Sequence, residues 1–101
     1  MKSEINRYMR KVYIIHSEYN QNGMTFNSTN RYASTQEKAD RIYETTLAAM
    51  KADNLDMLKD KQNYKTNYSN RKGNRFFYCF YRQRPTVSNF QVEMRTELLE
   101  D

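Results

Sequence analysis

One cysteine, one proline, two glycines, one histidine and no tryptophan leave the chain short of the residues that most often build catalytic or metal sites. A lone Cys79 excludes an intramolecular disulfide, and the simplest home is a reducing, cytoplasmic one. Cys79 and the lone His16 cannot supply the four protein ligands of a structural zinc. A Cys–His nucleophilic pair would need these two to meet in space beside a third, orienting residue. Gly23 and Gly73 belong to separate turns, so no glycine-rich loop cradles a phosphate. The longest apolar-aromatic run, Phe76 to Tyr81, falls far short of the roughly 20 residues of a membrane helix. Charges scattered from Met1 to Arg10 do not make a signal peptide. No repeat, low-complexity tract or linker interrupts the 101 residues, so a single domain is expected.

What is present is polar yet ring-rich. Hydrophobic residues are 38%, charged residues 29%, and the mean hydropathy is −1.10. Nine tyrosines and five phenylalanines nevertheless argue for a folded chain, because disordered chains are poor in such residues. The net charge of +5 is unevenly spread. Between Lys61 and Val92 stand seven basic residues and no acid, while the rest of the chain holds ten basic and twelve acidic residues. Such asymmetry suggests a polyanionic partner. A solvated, incidentally basic hairpin is the plain alternative.

The pattern predicts an α+β domain, one amphipathic helix packed on an antiparallel sheet in the order ββαβββ. Lys11 to Tyr19 is β-branched and aromatic, and Asn22-Gly23 suits a type I′ turn. A two-residue loop there would set Gln21 opposite Met24, Tyr19 opposite Phe26, Ile15 opposite Asn30 and Tyr13 opposite Tyr32. Tyr13, Ile15, Tyr19, Met24, Phe26 and Tyr32 would then share the buried side, with His16, Glu18, Thr25, Asn27, Thr29 and Arg31 opposite. Val12 and Ile14 fall on that polar side, which the N-terminal segment is expected to cover in part. Ser34 and Glu37 read as a capping box, and Ala39, Ile42, Tyr43, Leu47 and Met50 make the apolar face of a helix over about 35–52. Asn54 is the expected stop, and Leu55 to Lys61 can add a short helical turn.

A second hairpin follows, with Arg71–Asn74 as its loop, Tyr68 opposite Phe77 and Tyr64 opposite Tyr81. Pro85 ends its second strand. Phe90, Val92 and Met94 alternate with Asn89, Gln91, Glu93 and Arg95 in a fifth strand, although Glu93 to Asp101 could instead close the fold as a helix.

No catalytic apparatus is recognisable, and neither enzyme activity nor a cofactor is expected. Asp53, Asp56 and Asp60 with Lys59 and Lys61 read as a solvated helix exit, because metal-dependent catalysis needs carboxylates converging from fixed positions. Cys79 reads as a small apolar filler. The remaining candidate is the hairpin 64–84. Lys65, Arg71, Lys72, Arg75, Arg82 and Arg84 would meet phosphates or acidic side chains. Tyr64, Tyr68, Phe77 and Tyr81 would stack or pack on the side away from the helix, if Phe76, Tyr78 and Phe80 face it.

Arg71 to Tyr78 resembles an RNA-recognition strand, but lacks an aromatic directly after Gly73, and the element order differs from that fold. Tyr32 to Ala39 resembles the strand-to-helix joint of the small DNA-binding arm domains of phage integrases. That likeness covers under a fifth of the chain, and three predicted elements follow where such an arm ends. The expected function is therefore a small binding protein engaging nucleic acid or an acidic protein surface. Eleven asparagines and nine tyrosines in a short chain suit an accessory protein of a phage or mobile element. A homodimer, or an inhibitor of a larger host protein, could use the same aromatic face. The rings could equally be buried by the fifth strand, by Met1–Arg10 or by a second copy, with the arginines as gatekeepers against aggregation.

Overall fold

Alternating apolar residues and two tight turns set up five long strands in the computed structural model, which describes residues 9–100 and the side chains of 10–99. The elements are β1 (Met9–Gln21), β2 (Met24–Ala33), α1 (Gln36–Asp53), α2 (Leu55–Lys59), β3 (Tyr64–Arg71), β4 (Asn74–Gln83) and β5 (Thr86–Glu100). All neighbours pair antiparallel in the order β2-β1-β5-β4-β3, an α+β fold with the expected ββαβββ order. The C-terminal alternative resolves in favour of strand: β5 runs along the whole of β1, from Met9↔Glu100 to Gln21↔Ser88.

Asn22 (φ 52) and Gly23 (φ 82) both take the left-handed backbone that the turn requires. The register beyond that turn differs from expectation. Gln21 does face Met24, but a bulge at Tyr19/Asn20 inserts one extra residue on β2. Tyr19 therefore faces Asn27, Ile15 faces Arg31 and Tyr13 faces Ala33. One added residue turns the rest of β2 over, so Tyr32 joins Ile14 on the side away from the helices, and Asn27, Thr29 and Arg31 lie on the helix side. Ile14 is buried on that outer side. Cover by the first eight residues lies outside the described part of the chain.

Helix α1 starts one residue later than its capping box suggests. Thr35, not Ser34, is the cap, and its hydroxyl accepts from the Lys38 amide at 3.2 Å. Asn54 ends the helix as expected, donating from Nδ2 to the Met50 carbonyl at 2.8 Å. The apolar face of α1 lies over β1, β5 and β2. Tyr43, Phe90, Ile15, Met94, Val92 and Cys79 are its fully buried centre. Each such aliphatic or phenyl side chain contributes roughly 1.5–3 kcal/mol by leaving water. Near α2, Met57 covers Cys79, whose thiol lies 3.8 Å from the Met57 sulfur.

The β3–β4 turn is tighter than a four-residue loop, because Arg71 and Asn74 themselves pair. Gly73 takes φ +76, and a Cβ there would lie 2.7 Å from Thr96 Oγ1. Only glycine suits this turn, whose carbonyl at Gly73 accepts from the Thr96 hydroxyl at 2.7 Å.

Candidate functional site

Register decides which face of the second hairpin is free. Phe90, Val92 and Met94 lie under α1, and their cross-strand partners on β4 are Cys79, Phe77 and Arg75. Odd-numbered residues of β4 therefore face the helices, and with them Tyr81, Tyr64 and Tyr68 through the pairs Tyr64↔Tyr81 and Tyr68↔Phe77. Those two pairings match the sequence expectation, but the orientation is reversed. Tyr64, Tyr68, Phe77 and Tyr81 share the helix side, and Phe76, Tyr78 and Phe80 point away from it.

On the helix side these four rings have different surroundings. Phe77 stacks on Phe90 with centroids 5.8 Å apart, and the Lys51 ammonium lies 4.6 Å from the Phe77 centroid. The Tyr81 hydroxyl donates to Asp60 Oδ2 at 2.8 Å. Tyr64 packs against the core cluster, whereas Tyr68 is 66% exposed. A groove between α1 and β3 is lined by Tyr43, Leu47, Lys51, Tyr68 and Phe77.

Arg75 also belongs to this side. Its guanidinium donates to Asp40 Oδ1 at 3.3 Å and to Glu44 Oε2 at 2.6 Å, and lies 4.2 Å from the Tyr43 ring centroid. Partial burial disfavours its charge, but Glu44 and Asp40 outweigh that and raise its pKa. Its positive charge is spent inside the molecule, fastening β4 to α1. The other five basic candidates stand differently. Lys65, Arg71 and Arg82 point to the outer side, opposite Phe80, Asn74 and Val87. Lys72 and Arg84 occupy turns, and all five are exposed. Among the described residues none of these five has an ion-pair partner, whereas Arg41, Arg75 and Arg95 all meet carboxylates.

The outer side of β3 and β4 is thus a row of half-buried Phe76, Tyr78 and Phe80 set among Lys65, Asn67, Ser69, Arg71 and Arg82. No described element packs on it. Two shallow depressions open there. One is lined by Asn67, Phe76, Tyr78, Gln91 and Glu93, the other by Gln62, Asn63, Lys65, Phe80 and Arg82.

Further across, β1 and β5 carry a hydrogen-bonded polar network. His16 Nδ1 lies 2.7 Å from Asn30 Oδ1 and Nε2 lies 2.7 Å from Glu18 Oε1. Asn20 Nδ2 donates to Glu18 Oε2 at 2.7 Å and to Asn89 Oδ1 at 2.8 Å. Two acceptors around one ring favour the imidazolium, and the Glu18 hydrogen bond above all raises the His16 pKa. Arg95 is held between Glu93 and Glu97. The carboxylates of the outer side thus lie on β1 and β5, and the cations with no ion-pair partner among the described residues lie on the β3–β4 hairpin.

The chain matches no protein-family model, no curated protein and no solved structure. His16 and Cys79 lie on opposite faces of the sheet, with β5 between their strands, so they cannot form a nucleophilic pair. Cys79 is fully buried, and burial pushes its thiol pKa up, away from the reactive thiolate. Among the described residues no group of three or more His, Cys, Asp or Glu could hold a metal ion. No described helix is long and apolar enough to cross a membrane.

The outer rings Phe76, Tyr78 and Phe80 are the residues that sequence reasoning set on the wrong side. A usable signal existed. The alternation of Phe90, Val92 and Met94 is unambiguous, and a two-residue Arg84–Pro85 turn pairs Gln83 with Thr86, which brings Cys79 opposite Phe90.

Proposed function

We propose that this protein is a small, non-enzymatic binding protein whose β3–β4 hairpin engages a polyanion. One observation carries the reading: Lys65, Arg71, Lys72, Arg82 and Arg84 crowd one hairpin, and among the described residues no carboxylate pairs with them. Exposed cations in such a cluster raise the local potential, attract anions and release counterions on binding. Arg75 has no part in the contact, since Asp40 and Glu44 already hold it.

The test is a salt titration of binding to heparin and to duplex DNA, beginning at about 50 mM. Affinity should fall linearly in log–log terms. Replacing Arg71 and Lys72 together by alanine should reduce the slope by about two, one for each lost phosphate contact. Absence of binding to either polyanion at the lowest salt rejects the reading.

A homodimer is the second reading, favoured by the opposite edge of the sheet. Edge strand β2 carries no charge from Met24 to Asn30, and Met24 and Phe26 are 64% and 61% exposed. Uncharged, exposed edges are templates for pairing with another chain. Size-exclusion chromatography with light scattering decides this reading, which requires a mass of twice the 12.3 kDa monomer.

A further inference from the structure

We infer that the outer face of β3 and β4 binds single-stranded nucleic acid, with bases stacked on Phe76, Tyr78 and Phe80 and phosphates met by Lys65, Arg71 and Arg82. The inference rests on the polyanion reading and adds to it the class of polyanion and the side chains that select it.

Three observations support it. First, the three rings occupy alternate positions on one strand, so they repeat at roughly 6.6–6.8 Å along it. Bases stacked in a duplex rise 3.4 Å per step and hide their faces from any platform. Only a strand with its bases separated can offer one base to each ring. Second, the cations border the rings on the same face. Lys65 lies opposite Phe80, Arg82 follows Phe80 by two residues on β4, and Arg71 lies at the turn beyond Phe76. A phosphate chain can follow the β3 edge while its bases turn inward over β4. Third, the side chains flanking the rings are amides and hydroxyls rather than aliphatics. Asn67 and Gln91 sit on either side of Tyr78, Ser69 lies beside Phe76 and Asn89 beside Phe80. These groups can donate to and accept from base edges.

The carboxylates of this face reinforce the direction of the track. Glu93 lies opposite Phe76 on β5, on the far side of the rings from Lys65 and Arg71, so the positive border of this face is its β3 side.

The experiment is fluorescence anisotropy with a labelled, mixed-sequence single strand of about 16 nucleotides and its duplex, at about 50 mM salt. A second arm displaces the labelled single strand with heparin. The wild-type chain should bind the single strand at least tenfold more tightly than the duplex, about 1.4 kcal/mol. The double variant Y78L/F80L removes two rings but keeps apolar bulk on a half-buried surface. It should lose roughly tenfold or more of single-strand affinity while retaining heparin binding. Far-UV circular dichroism and a melting curve of this variant verify that it is folded, and the single variant Tyr78→Phe serves as the ring-preserving control, which should bind as wild type. Equal affinity for duplex and single strand, or full single-strand binding by the folded Y78L/F80L variant, overturns the inference while leaving the polyanion reading standing. Failure of heparin, duplex and single strand alike removes both.

Discussion

Strand β4 carries two aromatic faces of nearly the same composition and similar partial burial that have different neighbours. Phe77, Cys79 and Tyr81 lie beneath the helices, while Phe76, Tyr78 and Phe80 are left on the outer side. The arginines divide in the same way. Arg75 is 16% exposed at its side chain and is held by two carboxylates, whereas Arg82 is exposed and has none among the described residues. A difference of one in residue number thus separates the side that meets the helices from the side on which no described element packs. Residue type says little about role on such a strand; the neighbour across the ladder says most.

The contrast can be broken most forcefully at the core. Phe90→Ala should cost about 3–5 kcal/mol, because it removes a fully buried ring and leaves a cavity that the sheet cannot close. Phe80→Leu on the outer face should cost less than about 1.5 kcal/mol. Urea denaturation of both variants checks the ranking. Similar losses would mean that the outer face is covered after all.

The arginine pair sharpens the comparison at intermediate cost. Arg75→Ala should destabilise by about 1–2 kcal/mol through lost stacking on Tyr43 and two lost ion pairs. That figure is already discounted, since the Asp40 and Glu44 side chains are 39% and 61% exposed and solvent screens them. Arg82→Ala should change stability by no more than about 0.5 kcal/mol. Binding should show the reverse order, with heparin retention falling for Arg82→Ala and holding for Arg75→Ala. Parallel thermal melts and heparin elution measure both.

The smallest effect belongs to His16 on the outer side of β1. Its folded pKa stands above the ordinary 6.5, chiefly through the Glu18 hydrogen bond, with further support from Asn30 and Glu93. The stabilisation is therefore fully present below about 6.5 and is lost as pH rises through the higher folded value. Glu18 behaves inversely: Asn20 and His16 hold its pKa below 4.5, so its contribution is present above that value and fades as pH falls through the folded one. Both effects should stay under about 1 kcal/mol. Urea midpoints at mildly acidic and mildly alkaline pH should differ for the wild type and converge for His16→Gln.

How legible the fold was depends on the element. The helix was readable because its apolar residues recur at one period and Asn54 offers a stop. The first turn was readable because Asn22 and Gly23 tolerate positive φ without strain. The β2 register was not, because the bulge after Tyr19 has no glycine or proline to mark it, and the apolar residues Met24, Phe26 and Tyr32 suggested an unbroken alternation. The candidate site was half readable. Its cations are plain in the charge distribution, yet nothing local sets Arg75 apart from them, because its partners Asp40 and Glu44 come from another element.

The sequence by itself determined the element order, the turn at Asn22-Gly23, the pairing of Tyr68 with Phe77 and the concentration of positive charge between Lys61 and Val92. These depend on local backbone preference, on period and on composition, all of which act between near neighbours in the chain. The tertiary structure alone decided which arginine is neutralised, and it settled which rings of β4 face outward, for which the Phe90–Met94 alternation and the Arg84–Pro85 turn were the sole sequence signal. Both faces of that strand are apolar enough to be buried, so the choice rests with β5, whose Phe90, Val92 and Met94 must lie beneath α1 and draw their cross-strand partners to the same side.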